Sequence, residues 1–426
     1  MNTVRVAPNA RFAQVRTSVA IRAAVSVIGQ VGNRATNALL TIIVAGSLTV
    51  RDFGDFSVIQ AILILTTAIG TFGFDVLILR DPSSLGSPHP DRVYYRAKVT
   101  IGLLFGVLIA VYTLFTINAR VFELSIFAVI AAVLAALAET PETRLAVANS
   151  YGARAAVQAI PSILVTIIAI LVIRASSLPS TVTLWLACVF LVVREAAHFS
   201  TGFLARRRLP RPTPVPVAVR TLVRRSAPFA SVGVLGYVYF RIDALILGSI
   251  AGPTPLAAYN AEYNLLMGAL AVSAALGTLW LRMLVHQPDV WRKLLPGNLL
   301  LGIFLAVVFI AGASLMTSIV YGPRYAHAAG LLRVLALVLP LSFCDSLLLR
   351  LIYARNRQKL VAPILAVVTV FNVGLNLIFI PEHGAMGAAW VTVATEALLL
   401  SSFSVLCWLS RTAVVPAASL SPEMST

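Results

Sequence analysis

Six polar side chains recur through the first long apolar stretch, residues 19–48: Ser26, Gln30, Asn33, Arg34, Asn37 and Thr41. At 3.6 residues per turn they fall within roughly 100° of one another around a helix. The opposite face, Ile28, Val31, Ala35, Leu39 and Ile42, is apolar. A guanidinium is not neutralised by a shifted pKa, so Arg34 at mid-membrane depth must face protein, water or an anion. Two readings stand side by side. The asparagines act as interhelical hydrogen-bond glue, or the whole stripe lines a polar cavity for an anion. Arg241, in the seventh apolar stretch, falls at a corresponding depth. Two guanidiniums facing one cavity suit phosphate oxygens, which the planar fork binds in pairs. Arg34, Arg241, Gln30, Asn33 and Asn37 are therefore the candidate substrate-binding residues.

The acids singled out within apolar stretches are Asp75, Glu195, Asp243, Glu262, Asp345 and Glu396. Asp75 is close to Arg80 and reads as half of an interfacial pair. Glu195 adjoins Arg194, with His198 one turn away, which reads as a structural network or a proton relay. Arg241 and Asp243 are i and i+2, positions that point apart on a helix, so they form no simple local ion pair. Asp345 and Glu396 lie deeper. A buried carboxylate that loads and unloads a proton or sodium is a common coupling device in transporters. Tyr237, Tyr239, Tyr259 and Tyr263 could stack on sugars, although interfacial tyrosines are common. No nucleophile–base pair, Gly-rich phosphate loop or metal-ligand spacing is visible, so neither an enzyme nor a resident metal or cofactor is expected. Gly102 and Gly106 form a Gly-x-x-x-Gly motif suited to helix packing.

These residues need a membrane to position them. Hydrophobic residues make up 59% of the 426-residue chain and charged residues 12%, against about 25% charged in soluble domains. Mean hydropathy is +0.91. A span needs about 20 apolar residues, and twelve stretches qualify: 19–48, 55–79, 97–117, 121–147, 155–173, 181–205, 226–251, 256–285, 297–319, 327–352, 359–380 and 384–409. Cys188, Cys344 and Cys407 all fall in apolar runs without a CxxC pair and read as reduced core residues. The N-terminal stretch carries arginines but no small-residue cleavage site, so the first span is expected to be retained.

The net charge of +17 is a topology signal. With the N-terminus cytoplasmic, 25 of the 33 basic residues fall in cytoplasmic segments, four in outer loops and four within spans. This alternation predicts a multi-pass protein of the cell (inner) membrane with both termini cytoplasmic. Anionic inner-leaflet lipid satisfies the charge, and nucleic acid is excluded as a partner. The Arg- and Pro-rich segment 206–225 divides the chain into an N-terminal six-helix bundle (1–205) and a C-terminal one (226–410). A short cytoplasmic tail follows (411–426). Gly46-Ser47-Leu48 before Phe53-Gly54-Asp55-Phe56 is echoed by Gly248-Ser249-Ile250 before Leu256-Ala257-Ala258-Tyr259, as two parallel repeats would show.

Three segments resemble one family. They are Ala45–Val58 around Phe53-Gly54-Asp55-Phe56, Arg241–Gly248 with Ala257-Ala258-Tyr259-Asn260, and Asn372–Pro381 followed by Gly384–Ala389. They are similar to the polysaccharide or O-antigen (Wzx-type) flippases of the multidrug/oligosaccharidyl-lipid/polysaccharide (MOP) superfamily. Lipid II flippases of that superfamily typically carry extra C-terminal spans, so twelve spans favour the polysaccharide branch. The resemblance implies an all-α fold of about twelve transmembrane helices, in two six-helix bundles around a central cavity. It implies alternating access and movement of a polyprenyl-diphosphate-linked oligosaccharide from the inner to the outer leaflet, beside a polysaccharide polymerase and glycosyltransferases. It also implies a sodium site built from an acid on span 7, a polar i, i+4 pair on span 11 and a threonine on span 12. The matching residues are Asp243, Asn372, Asn376 and Thr392. Asn376 stands where the family has a second acid, which weakens a sodium site and leaves a proton on Asp243 as the rival. With Asp345 and Glu396 these make up the candidate ion-coupling set. Two competing functions are a drug or cation antiporter of the same superfamily and a non-transporting membrane partner of a glycan synthesis complex.

Overall fold

The computed structural model describes residues 36–80, 90–148, 150–175, 178–207, 209, 219–355 and 357–409. Among them the regular structure is entirely helical: α1 (Thr36–Ser47), α2 (Val50–Thr71), α3 (Phe74–Arg80), α4 (Pro90–Thr116), α5 (Ala119–Val147), α6 (Tyr151–Ala175), α7 (Ser180–Arg206), α8 (Val219–Ile250), α9 (Pro253–His286), α10 (Trp291–Tyr321), α11 (Ala329–Leu335), α12 (Val338–Ala354) and α13 (Val361–Leu409), with short 3-10 turns. Helices α1 to α7 form one bundle and α8 to α13 the other. Apolar side chains such as Phe115, Leu300, Ile319 and Val370 face outward, as a lipid-facing rim requires.

The breaks follow from backbone chemistry. The second span divides at Phe72 and Gly73, both with positive φ (44° and 66°). A Cβ on Gly73 would lie 2.6 Å from the backbone nitrogen of Ala230, so only glycine lets α3 dock on α8. The expected tenth span is bent by 43° between α11 and α12. Pro340 has no N–H to give the carbonyl of Ala336, which opens the ladder there. Helix α13 contains two spans, which part at Gly384 (φ 55°, ψ −134°) just after Pro381. Of the expected linker 206–225, Arg206 ends α7 and residues 219–225 already belong to α8.

Helix α2 is the axis of the molecule, with 16 of its 22 residues buried. It packs on α4, α5 and α7 of its own bundle and on α8 and α9 of the other. Near Thr49 the bundles meet closely: a Cβ on Gly54 would lie 2.0 Å from the carbonyl oxygen of Pro253. At the same end Arg324 donates to the carbonyls of Leu48 (2.7 Å) and Gly46 (2.8 Å), the frayed C-terminus of α1. Asn260 of α9 donates to Ser57 of α2 at 2.9 Å, crossing the seam. The Gly102/Gly106 motif packs as read, with Gly102 against Gly70 and Gly106 against Val129 and Thr66.

Asp75 bonds Lys98 Nζ at 2.7 Å. The side chain of Arg80, its expected partner, lies outside the described ones. Lys98 is fully buried and also donates to the Ala136 carbonyl. Its carboxylate partner, 23 residues away, draws this basic residue at the start of the third apolar stretch into the bundle.

Candidate functional site

The polar residues of the second bundle converge on a small cavity between α8, α9, α12 and α13. Its volume is about 10 Å³, room for about one water or a bare ion. Asp243, Asn372, Thr392 and Glu396 line it, with Tyr239 and Tyr263.

Asp243 on α8 is buried and accepts two hydrogen bonds: Oδ1 from the Ala244 N–H at 2.7 Å and Oδ2 from the Tyr259 hydroxyl at 2.5 Å. That hydroxyl also lies 3.0 Å from Thr392 Oγ1. Tyr259 on α9 therefore joins the acid of α8 to the threonine of α13. Among the described residues no cation lies within ion-pair distance of Asp243. An isolated buried carboxylate is costly, so the site calls for a proton or a metal cation.

Asn372 and Asn376 share one face of the first arm of α13. Asn376 Nδ2 donates to the Asn372 backbone (2.9 Å) and side-chain (3.0 Å) oxygens. Asn372 donates across to Thr395 at 3.2 Å, which sets the register of the two arms and brings Asn376 level with Val391 and Thr392. Asn376 Oδ1 is buried without a partner, one turn from the cavity lining. A buried amide oxygen of this kind calls for an unseen donor, water or cation.

Glu396, also on α13, accepts from Tyr239 of α8 at 2.6 Å and from Ser342 of α12. Asp345 of α12 adjoins Glu396. The second bundle thus carries two adjoining acidic centres, Asp243 and the Glu396–Asp345 pair, on one cavity.

Arg241 points away from Asp243, as i, i+2 spacing requires. Its Nη1 donates to Asn260 Oδ1 at 3.2 Å and its guanidinium lies 5.3 Å from the Tyr263 ring centre. It is half-buried and, among the described residues, no carboxylate is within 4 Å. Through Asn260 and Ser57 it stands at the seam between bundles. Gln30, Asn33 and Arg34 lie outside the described residues. The Asn37 amide oxygen is engaged by Arg194 Nη1 at 2.5 Å, so Asn37 is tied to α7 of its own bundle.

Tyr259, Tyr239 and Ser342 were not legible as acid partners. Two of them drew notice only as tyrosines, because a hydroxyl's partner on another helix leaves no mark on spacing. Glu139 and Glu142 of α5 were also passed over. They lie in the expected span 121–147, and α5 continues through Pro141 between them.

Comparison with known proteins places this geometry. A lipid II flippase, MurJ in an inward closed conformation, superposes with a TM-score of 0.72 at 12% identity, covering 89% of this chain and 87% of its own. An inward-facing multidrug-resistance MATE transporter of the MOP superfamily gives 0.67 at 14% identity, covering 88% and 94%. A MOP-superfamily transporter from Pyrococcus furiosus, described as having a binding pocket of reverse polarity, gives 0.64 at 13% identity, covering 91% and 94%. No curated protein sequence matches the chain. The fold is the two-lobe, twelve-helix architecture of MOP-superfamily membrane transporters. A family model described as polysaccharide biosynthesis protein matches residues 21–280, more than half of the chain. The chain belongs to that family.

Proposed function

We propose that this protein is a secondary transporter that flips a polyprenyl-diphosphate-linked oligosaccharide from the inner to the outer leaflet of the cell membrane by alternating access. The observation that carries this reading is Arg241: a half-buried guanidinium at the seam, positioned by Asn260 and Tyr263 and matched to no carboxylate among the described residues. A permanent cation at mid-membrane depth with no carboxylate in direct contact is suited to an anionic group of the cargo, and a diphosphate offers paired oxygens. Arg34, on the span corresponding to α8 in the first half, supplies the second cation. The family's link to polysaccharide biosynthesis and the lipid II flippase fold support a lipid-linked glycan as cargo. The positive residues keep both termini and the mid-chain segment cytoplasmic.

The coupling ion, sodium or a proton, sits at Asp243 with Tyr259, Thr392, Asn372 and Asn376 around it, and Glu396–Asp345 is its acidic neighbour. An acidic, aromatic cavity also suits a cationic drug. At about 10 Å³ it admits an ion and no drug-sized molecule, which favours coupling over drug binding. Cells lacking the protein should accumulate lipid-linked oligosaccharide on the inner leaflet, and wild type should relieve it where Arg241→Ala does not. Relief by Arg241→Ala equal to wild type would remove the anion-site reading.

A further inference from the structure

The first bundle holds a buried ionic network that the transport site does not use. His198 of α7 is at its centre. Its Nε2 meets Glu142 Oε1 of α5, and its Nδ1 lies 3.6 Å from Glu195 Oε2 one turn back on α7. Glu142 also accepts from Gln158 of α6 and lies 3.9 Å from Arg154 Nε of the same helix. Glu195 Oε1 takes both Nε (2.9 Å) and Nη2 (2.6 Å) of Arg194. The remaining arm of that guanidinium donates to Asn37 of α1. Glu139, one turn before Glu142, lies beside Asp75 of α3, Lys98 of α4 and Glu142. Tyr95 of α4 reaches the same helix face through Phe199, ring centres 5.9 Å apart. Helix α2 brings no charge here: Asp52 and Asp55 sit at its other end with Arg120.

His198 is the group placed to hold a proton between α5 and α7. Each of its ring nitrogens faces a different carboxylate, and a neutral imidazole would turn a bare lone pair toward one of them.

We propose that Glu142, His198 and Glu195 form a one-proton binding site that is linked to α1 through Arg194. With the proton present, His198 bridges the carboxylates of α5 and α7, and Arg194 is shared between Glu195 and Asn37. When the proton leaves, the bridge becomes two carboxylates that compete for Arg194, and its hold on Asn37 weakens. Asn37 of α1 belongs to the candidate substrate-binding set, so proton occupancy is relayed to a residue assigned to the cargo. The relay to cargo rests on the flippase reading; the proton site does not.

Two measurements separate these parts. Full-length protein in lipid nanodiscs, labelled with nitrogen-15 histidine, is examined by NMR at pH 7, with His198→Gln identifying one signal among the five histidines. Wild type should show an imidazolium with both nitrogens protonated, and Glu142→Gln, which removes the carboxylate facing Nε2, should show a neutral imidazole. A neutral His198 in wild type, or an imidazolium unaffected by Glu142→Gln, overturns the site. In proteoliposomes with an imposed pH gradient, His198→Lys fixes the bridging charge. It should fold, retain exchange of lipid-linked oligosaccharide at equal pH and lose the acceleration by the gradient. Acceleration equal to wild type in His198→Lys overturns the relay. If wild type moves no lipid-linked oligosaccharide, the flippase reading fails while the NMR result still decides the proton site.

Discussion

The hydroxyl of Tyr259 lies 2.5 Å from Asp243 Oδ2 and 3.0 Å from Thr392 Oγ1, so one side chain of α9 links the acid of α8 to the threonine of α13. Those three helices must move together for an ion bound at Asp243 to influence the seam. Tyr259→Phe keeps the ring and its stacking on Tyr263, 5.6 Å between centres. Loss of an interhelical hydrogen bond in a membrane bundle costs only about 0.6 kcal/mol. Thermal unfolding of Tyr259→Phe should therefore stay close to wild type, while gradient-driven transport falls sharply. Equal loss of stability and transport would make Tyr259 a packing residue.

The ion itself is identified by imposing sodium and proton gradients separately on proteoliposomes. Sodium-driven transport that is lost in both Asp243→Asn and Asn376→Ala indicates a sodium site that includes the orphaned Asn376 oxygen. A proton-driven response lost in Asp243→Asn but retained in Asn376→Ala indicates that Asp243 carries a proton. Wild type indifferent to both gradients, with Asp243→Asn fully active, contradicts coupling here.

Lys98 and Asp75 form a buried pair, and breaking such a pair from one side costs about 3–5 kcal/mol because the other charge is stranded. Lys98→Met alone should lower the yield of folded protein and its melting temperature. Lys98→Met with Asp75→Asn should recover much of both. A double variant as unstable as the single one would show that the Lys98 bond to the Ala136 carbonyl matters more than the pair.

Spans were the most legible part of this chain, because a membrane turns composition directly into helix length. Helix breaks were partly legible. Pro381 and Gly384 announced the turn inside α13, but the break at Phe72 and Gly73 depends on the approach of Ala230, which no local pattern records. Buried polar residues were legible where their chemistry is costly in lipid, as for Arg241, Asp243 and Glu396. Their partners were not. Lys98 is drawn inside by Asp75, which no local pattern announces, and Tyr259, Tyr239 and Ser342 acquire their contacts only from helices that pack beside them. Gln30, Asn33 and Arg34 lie outside the described residues.

Arg324 anchors the seam near Thr49 by holding the α1 carbonyls of Gly46 and Leu48. Arg324→Ala removes both bonds and should shift the conformational equilibrium toward opening at that end. Spin labels at the exposed positions Arg51 and Thr254 should then report a larger fraction of long distances than in the parent protein. An unchanged distance distribution would show that Gly54 and Pro253 close the seam without Arg324.

Binding of the diphosphate of a lipid-linked glycan at the seam, and its passage across, are measured with purified protein in proteoliposomes loaded with a fluorescent polyprenyl-diphosphate oligosaccharide, scored by how much cargo becomes accessible to an impermeant reagent on the opposite leaflet. Wild type should move the cargo, Arg241→Ala and Arg34→Ala should not, and Arg241→Lys should retain part of the rate, since the charge stays and the bidentate fork is lost. No movement by wild type, or movement by Arg241→Ala at the wild-type rate, would contradict the account.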